Sequence, residues 1–332
     1  MTYYRLAYFG LMAALALPAQ DVISAKPGLI HYTEGAVTLG GKPVELKAGE
    51  YPEVKKGQEL ATDAGRVEVL LSPGVFLRLA ENSSARLVAN ALEDVKIELL
   101  RGSMLLEVGE FDRKFNNLSV TAGDAAIEVV NRGLVRIDRE PALLKVYEGS
   151  VAVVAGGQPL TIKEGRQTLL SGVLAPERFN KDGNDAFHRW AARRSSYIAL
   201  ANIQAAKRVS DNSVPWRVNN WIYNPYFGSF TYMPARGMYR NPFGYSFYSP
   251  VTVGRVYYRP PAPVFSNPSD SGWSPGLGTR SYGDYSGRST MGTYSAGGGS
   301  AAPAPAAAAP PPSSGASRSG GAGEGRSAGS GR

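Results

Sequence analysis

The chain holds two histidines, His31 and His188, and no cysteine among its 332 residues. Thiolate nucleophiles and cysteine-based metal sites are therefore excluded. Neither histidine has an acidic residue at ligand spacing, so a metal site would need groups from distant parts of the chain. Two carboxylate pairs, Glu93-Asp94 and Asp138-Glu140, have the composition of an acid/base couple; on strand edges and turns they read as solvated charges. The Ser, His and Asp content would allow a triad, but no nucleophile-elbow sequence occurs. Gly156-Gly157 is followed by no helical pattern and so makes no phosphate loop. These residues point away from catalysis, with no cofactor or metal expected.

Binding chemistry is better represented. The stretch 215–263 is dense in Trp, Tyr and Phe, and its run WRVNNWIYNPYF sets an arginine between tryptophans. Aromatic faces beside Arg dominate contact hot spots. Trp216, Arg217, Trp221, Tyr223, Tyr226 and Phe227 are therefore the expected contact residues for an envelope protein or a polysaccharide. The competing expectation is that these rings dock on the chain's own β-domain, because so much aromatic surface must be covered. Pro and Gly recur every few residues, so neither a long helix nor a regular sheet is expected here.

The elements that must carry such a surface begin with GRVEVLLSPGVFLRLAENSS, from Gly65 to Ser84. Val67, Val69 and Leu71 alternate with Glu68 and Leu70; Val75, Leu77 and Leu79 alternate with Phe76 and Arg78. Period-two alternation gives each strand one core face. Ser72-Pro73-Gly74 supplies the fixed φ and the tolerance of positive φ that a reversal needs. Glu68, Arg78 and Glu81 then read as a solvated outer face. Similar alternations punctuated by glycine run from about Leu29 to Leu170, with no sustained 3.6-residue pattern. The fold class is all-β, as an irregular β-solenoid or a β-sandwich.

The order of these features resembles the FecR-like periplasmic domain over roughly 28–175. The residues that carry the resemblance are Gly35-Ala36-Val37, Gly57 to Thr62, the hairpin from Gly74 to Ser83, Leu99 to Met104, Val120-Thr121, and Val146 to Val151. The best-known members regulate sigma factors, with a cytoplasmic segment and a spanning helix ahead of this domain. Neither is visible here, so the resemblance implies the fold. It also implies, as the alternative function, a periplasmic signalling component that couples an outer-membrane receptor to sigma-factor regulation through a separate partner.

Beyond the β-domain, 184–209 changes period. Asp185 is a fitting N-cap, and Phe187, Trp190, Arg194, Tyr197 and Ala201 follow at helical spacing. Arg189, Arg193, Lys207 and Arg208 lie on the other side, a face able to meet an anionic membrane surface; docking of the apolar face on the β-domain is the commoner use. The stretch 264–332 is Gly, Ser, Ala and Pro-rich and is expected to be disordered.

Charge divides accordingly. Residues 20–180 carry 19 Lys+Arg against 22 Asp+Glu, whereas 181–332 carry 16 against 6. That asymmetry marks a folded module with an interaction tail.

Residues 1–19 read as a signal peptide: Arg5, an apolar run from Leu6 to Leu17, then Pro18-Ala19. The run is too short to cross a bilayer, which takes about 20 residues. A lipoprotein is excluded for want of a cysteine, and an uncleaved N-terminal anchor is the less favoured alternative. The expected location is the periplasm or cell surface. Export, together with the lack of any lysine after Lys207, disfavours nucleic acid as the partner. N-terminal sequencing of the native protein is expected to begin at or near Gln20; recovery of Met1 from an integral membrane fraction would refute the leader.

Overall fold

A computed structural model describes residues 27–257, except 48, 110–115, 158, 183–184 and 214. The leader expected at 1–19 and the tail expected at 264–332 lie outside the described residues.

The chain winds back and forth between two sheets. It enters the first as β1 (Leu29–Glu34) and crosses to the second for β2 (Val37–Leu39), β3 (Lys42–Pro43) and β4 (Glu59–Thr62). It returns for β5 (Arg66–Leu70) and β6 (Val75–Leu79), then crosses again for β7 (Ser84–Ala91) and β8 (Asp94–Arg101). β9 (Ser103–Val108) lies in the first sheet, and β10 (Asn117–Ala122) and β11 (Ala125–Val129) in the second. β12 (Gly133–Arg139) and β13 (Ala142–Glu148) are in the first, β14 (Ser150–Val154) and β15 (Leu160–Lys163) in the second. β16 (Arg166–Leu169) and β17 (Glu177–Arg178) finish the first. Paired strands run antiparallel except β8 and β10.

The chain is all-β in this part, and its two sheets enclose one core in the layering of a sandwich. Val67, Val69, Leu77, Leu79, Leu106 and Val135 of the first sheet meet Leu87, Ile97, Val120, Ile127 and Val151 of the second. The hairpin at Gly65–Ser84 is β5 and β6, with Val69 opposite Leu77. Gly74 takes φ +82°, the region that glycine occupies without steric cost.

The outer face of the first sheet is covered as well. On it, Leu70, Phe76, Leu105, Leu134 and Tyr147 meet a third layer made from described residues between 186 and 257. That layer begins with α1 (Ala186–Asp211), whose N-cap Asp185 accepts a hydrogen bond from the His188 N–H. Phe187, Trp190, Ile198, Ala201 and Ala205, at helical spacing, are its buried face.

The aromatic stretch follows as two hairpins, β18 (Asn220–Asn224) with β19 (Ser229–Met233), and β20 (Met238–Arg240) with β21 (Ser246–Tyr248). This corrects the expectation of irregular chain. Trp221 faces Tyr232 and Tyr223 faces Phe230 across the first hairpin, so paired rings supply the sheet contacts, while Pro and Gly are confined to its turn. A second short helix, α2 (Pro250–Val256), was not anticipated; Ser249 caps it, and proline stands in its first turn. Asn202 of α1 holds both hairpins: its Nδ2 donates to the Tyr232 and Tyr248 carbonyls, at 3.0 and 3.1 Å, and its Oδ1 accepts from the Tyr248 N–H at 2.7 Å.

Trp221 is 1% exposed and meets Phe76 edge-on at 5.1 Å, whereas Tyr226 is 86% exposed. Trp221→Ala is therefore expected to cost about 3–5 kcal/mol in urea unfolding, and Tyr226→Ala less than about 0.5 kcal/mol. Equal midpoints for the two variants would mean that the segment does not depend on this docking.

Candidate binding site

Glu68 and Arg78 were expected on a solvated face, and the structure overturns this: both are 0% exposed, with Glu107 at 1%. The physical reason is the third layer, which closes over the sheet and replaces water with specific partners. Glu68 lies directly across from Arg78 on the β5–β6 hairpin. Arg78 Nε donates to Glu68 Oε2 at 2.8 Å and its Nη1 to Glu107 Oε2 at 2.7 Å. Its Nη2 donates to Ser195 Oγ of α1 at 3.0 Å, and that hydroxyl in turn donates to Glu107. Asn241 Nδ2 reaches Glu107 Oε1 at 2.7 Å from the loop joining β20 to β21. Arg194 of α1 donates to Glu68 Oε1 at 2.9 Å, its guanidinium lying 3.9 Å from the centre of the Tyr32 ring. Two carboxylates and two guanidiniums thus cancel, with each carboxylate oxygen engaged.

His31 also belongs to this cluster. A bulge between Ile30 and Tyr32 in the pairing of β1 with β5 leaves it as an extra residue, buried on the outer side of the sheet. Its Nδ1 is 3.0 Å from Glu68 Oε1, and its Nε2 accepts the Phe230 N–H at 3.0 Å. That acceptance fixes the tautomer: Nδ1 carries the proton and donates to Glu68. Ser229 Oγ is 2.9 Å from the same Nε2. His31 therefore has an acidic partner that sequence spacing could not reveal, 37 positions away.

Burial raises the Glu68 pKa, but Arg194, Arg78 and His31 outweigh it and hold the carboxyl well below the usual range. Burial lowers His31 below 6.5, against the opposing pull of Glu68. Burial lowers Arg78 too, but Glu68 and Glu107 reverse the sign and raise it.

Serine, histidine and glutamate here stand in the order of a hydrolytic triad. The chemistry available to them is restricted. Nε2 already holds a backbone N–H, and the Glu68 charge that would steady an imidazolium is taken up by two guanidiniums. What the arrangement does readily is tie β19 to β1 and β5.

Above His31 and Arg194 opens a half-open cleft of about 480 Å3 between α1 and the turn joining β18 to β19. Tyr197 Oη donates to the Phe227 carbonyl at 2.8 Å and Tyr51 Oη to that of Gly228 at 2.9 Å, holding the turn in place.

The structure separates the residues expected to contact a partner. Trp221 is buried beneath the hairpin and Tyr223 is half-buried beside Phe230. Trp216 packs partly against Ile222 and Val253, away from the cleft. Phe227 lines the cleft, Tyr226 stands on the same turn in solvent, and Arg217 is exposed. The carboxylate pairs lie apart from this site. Asp94 is a surface partner of Lys96 and Asn117, but Asp138 is 7% exposed and bound to Arg136 at 2.9 Å, so it is not the solvated charge expected. His188 sits between Tyr147 and Phe243, at 4.7 and 5.3 Å.

Residues 58–152, running from the start of β4 into β14, match the family model described as FecR protein, as the motif order implies. Among solved structures, two of a "putative anti-sigma factor" from Parabacteroides distasonis ATCC 8503, at 2.50 and 1.65 Å resolution, are similar to this chain. They are 15% and 14% identical to it with a TM-score of 0.33 each, and the match covers 37% of this chain and 61% of theirs. No curated protein matches the chain.

The buried histidine gives the fold a pH dependence. Because His31 titrates below 6.5 when folded, the unfolded chain binds its proton more readily, so stability is full above pH 6.5 and falls as pH drops below it. His188, also lowered by burial, adds to this slope. The Glu68 contribution is present above about pH 4.5 and is lost only as pH falls through its lower folded value. Urea midpoints measured from pH 8 to pH 5 are expected to fall less steeply for His31→Gln than for the wild type; identical slopes would show that His31 is not held neutral.

Proposed function

We propose that the protein is an exported, non-catalytic component of the cell envelope, in which the FecR-like sandwich is a scaffold for a partner-contact surface on the third layer. The observation that carries this reading is the turn between β18 and β19. It is tied down by Tyr197 and Tyr51, yet leaves Tyr226 86% exposed. A ring held in water on a rigid turn loses little freedom on binding and covers much apolar surface. Of the six residues expected to make contact, Tyr226 and Phe227 on the turn and Arg217, exposed ahead of β18, are the contacts proposed for an envelope protein or polysaccharide, while Trp216, Trp221 and Tyr223 are buried or half-buried within the third layer. Exposed Arg189 and Arg193 on α1 are the groups through which an anionic membrane surface would be met.

The non-catalytic reading is supported by the backbone donor on His31 and the two guanidiniums on Glu68. Export, to the periplasm or the cell surface, rests on the leader at 1–19. A second reading, a periplasmic component coupling an outer-membrane receptor to sigma-factor regulation through a separate partner, is favoured by the family match over 58–152.

The test is co-sedimentation of the mature protein with purified envelope fractions. The double variant Arg217→Ala/Tyr226→Ala is expected to melt like the wild type and to lose most of its association, by about tenfold or more. Undiminished association in a folded double variant would remove this surface from the proposal. Labelling of Ser229 by a serine-directed fluorophosphonate would overturn the non-catalytic reading.

A further inference from the structure

The cleft beside the turn differs in composition from a helix-binding groove. Its walls are the rings of Tyr32, Trp190, Tyr197 and Phe227 and the guanidiniums of Arg193 and Arg194, with no aliphatic side chain lining it. Grooves for amphipathic helices take aliphatic anchors, and strand-addition sites pair a strand with a sheet edge. This cleft lies between a helix and a turn and offers neither. Acidic peptides, by contrast, are met by Arg clusters, and poly-L-glutamate stands for them in the test below. Rings with hydrogen-bonding groups between them suit a ligand that has C–H faces and hydroxyls on the same small ring. A pyranose has both: its axial C–H face lies on an aromatic ring, and its hydroxyls reach groups such as Ser229 Oγ in the cleft floor.

The charge of the cleft narrows the class. Glu34, the carboxylate among its lining residues, accepts from Trp190 Nε1 at 2.8 Å and faces, at 3.6 Å, an Arg66 guanidinium that it shares with Glu81. Arg194 is matched from behind by Glu68. Arg193 is exposed and has no ion-pair partner among the described residues, so its guanidinium stands unpaired at the mouth. Deeper in, Arg194 Nε is a buried donor with no acceptor. A cleft of similar size, about 470 Å3, beside His188 sets Glu148 and Glu164 against Lys181 and Arg189.

From the aromatic lining, the unpaired Arg193 and the unmet Arg194 donor, we infer that this cleft binds a carboxylate-bearing sugar, as found in a uronate-containing polysaccharide. The ring stacks on the aromatic wall, and the carboxylate meets Arg193 at the mouth and Arg194 within. The inference rests on the envelope-binding reading and names its ligand class. The basic charge of 181–332, with 16 Lys+Arg against 6 Asp+Glu, would draw such a polyanion toward this half of the chain.

The experiment is titration of the full mature protein with oligogalacturonate and with oligomannuronate, read by calorimetry and by the fluorescence of Trp190 and its neighbours. The methyl ester of each and poly-L-glutamate serve as comparisons. At least one acidic oligomer is expected to bind, its ester about tenfold more weakly or worse, and poly-L-glutamate more weakly than the acidic sugar. Arg193→Ala should weaken the acidic sugar by about tenfold without moving the melting temperature, because Arg193 is exposed; Tyr197→Ala, kept only if it melts within a few degrees of the wild type, should do the same. Equal binding of acid and ester, tighter binding of poly-L-glutamate, acid binding unaffected by Arg193→Ala, or binding to neither oligomer would each overturn the inference. The outcomes stay separable from the broader reading. Loss of envelope association in Arg217→Ala/Tyr226→Ala with no uronate binding would cost only the ligand class. Uronate binding with envelope association intact in that double variant would cost only the Arg217–Tyr226 surface.

Discussion

Two carboxylates and two guanidiniums have been taken out of water on the outer face of the first sheet, and the third layer is arranged to make that tolerable. Desolvation of each ion costs several kcal/mol in a folded protein, and only close, complete pairing offsets it. Here the pairing is assembled from three sources. The sheet supplies Glu68, Arg78 and Glu107 in adjacent strands; α1 supplies Arg194 and Ser195; the β20–β21 loop supplies Asn241. Displacing the layer by a few ångströms would leave a buried charge without its partner. The network adds little net stability as such, since an apolar core of the same volume can do as well. It fixes where the helix and hairpins sit, while Phe76, Trp221, Leu105 and Phe187 around it supply the apolar burial.

Much of the sandwich was legible in the sequence because alternation reports which residues share a face. Val67, Val69, Leu77 and Leu79 could be assigned to the core without any structure. The opposite face was misread, although the signal that corrects it was present. Beside Glu68 and Arg78 stand Leu70 and Phe76 on the same face, and the next strand adds Leu105: a sheet face carrying such residues is covered, not wet. His31 was less accessible to reasoning, because a one-residue bulge decides which side it enters and nothing in the local sequence announces it. In 215–263 the density of Pro and Gly hid the alternation of Trp221, Tyr223, Phe230 and Tyr232, which pair across a turn. The partner of Glu107 lies 134 positions away at Asn241, a distance no spacing rule spans.

The winding of the sandwich has a consequence for the order in which the molecule is made. Each pass of the chain adds strands next to ones already laid down, so both sheets can pair without the residues that follow them. The cover cannot. Ser195 follows Arg78 by 117 residues, and Ser229 follows His31 by 198. Until they dock, the first sheet presents its outer face to water. A face made only of Leu, Phe and Tyr would invite other unfinished chains to stick. Glu68, Arg78 and Glu107 in its middle are charges that an apolar neighbour would have to desolvate without pairing them. The same three side chains that disfavour a stray apolar contact on the open face are the ones that α1 and the β20–β21 loop satisfy when they close it.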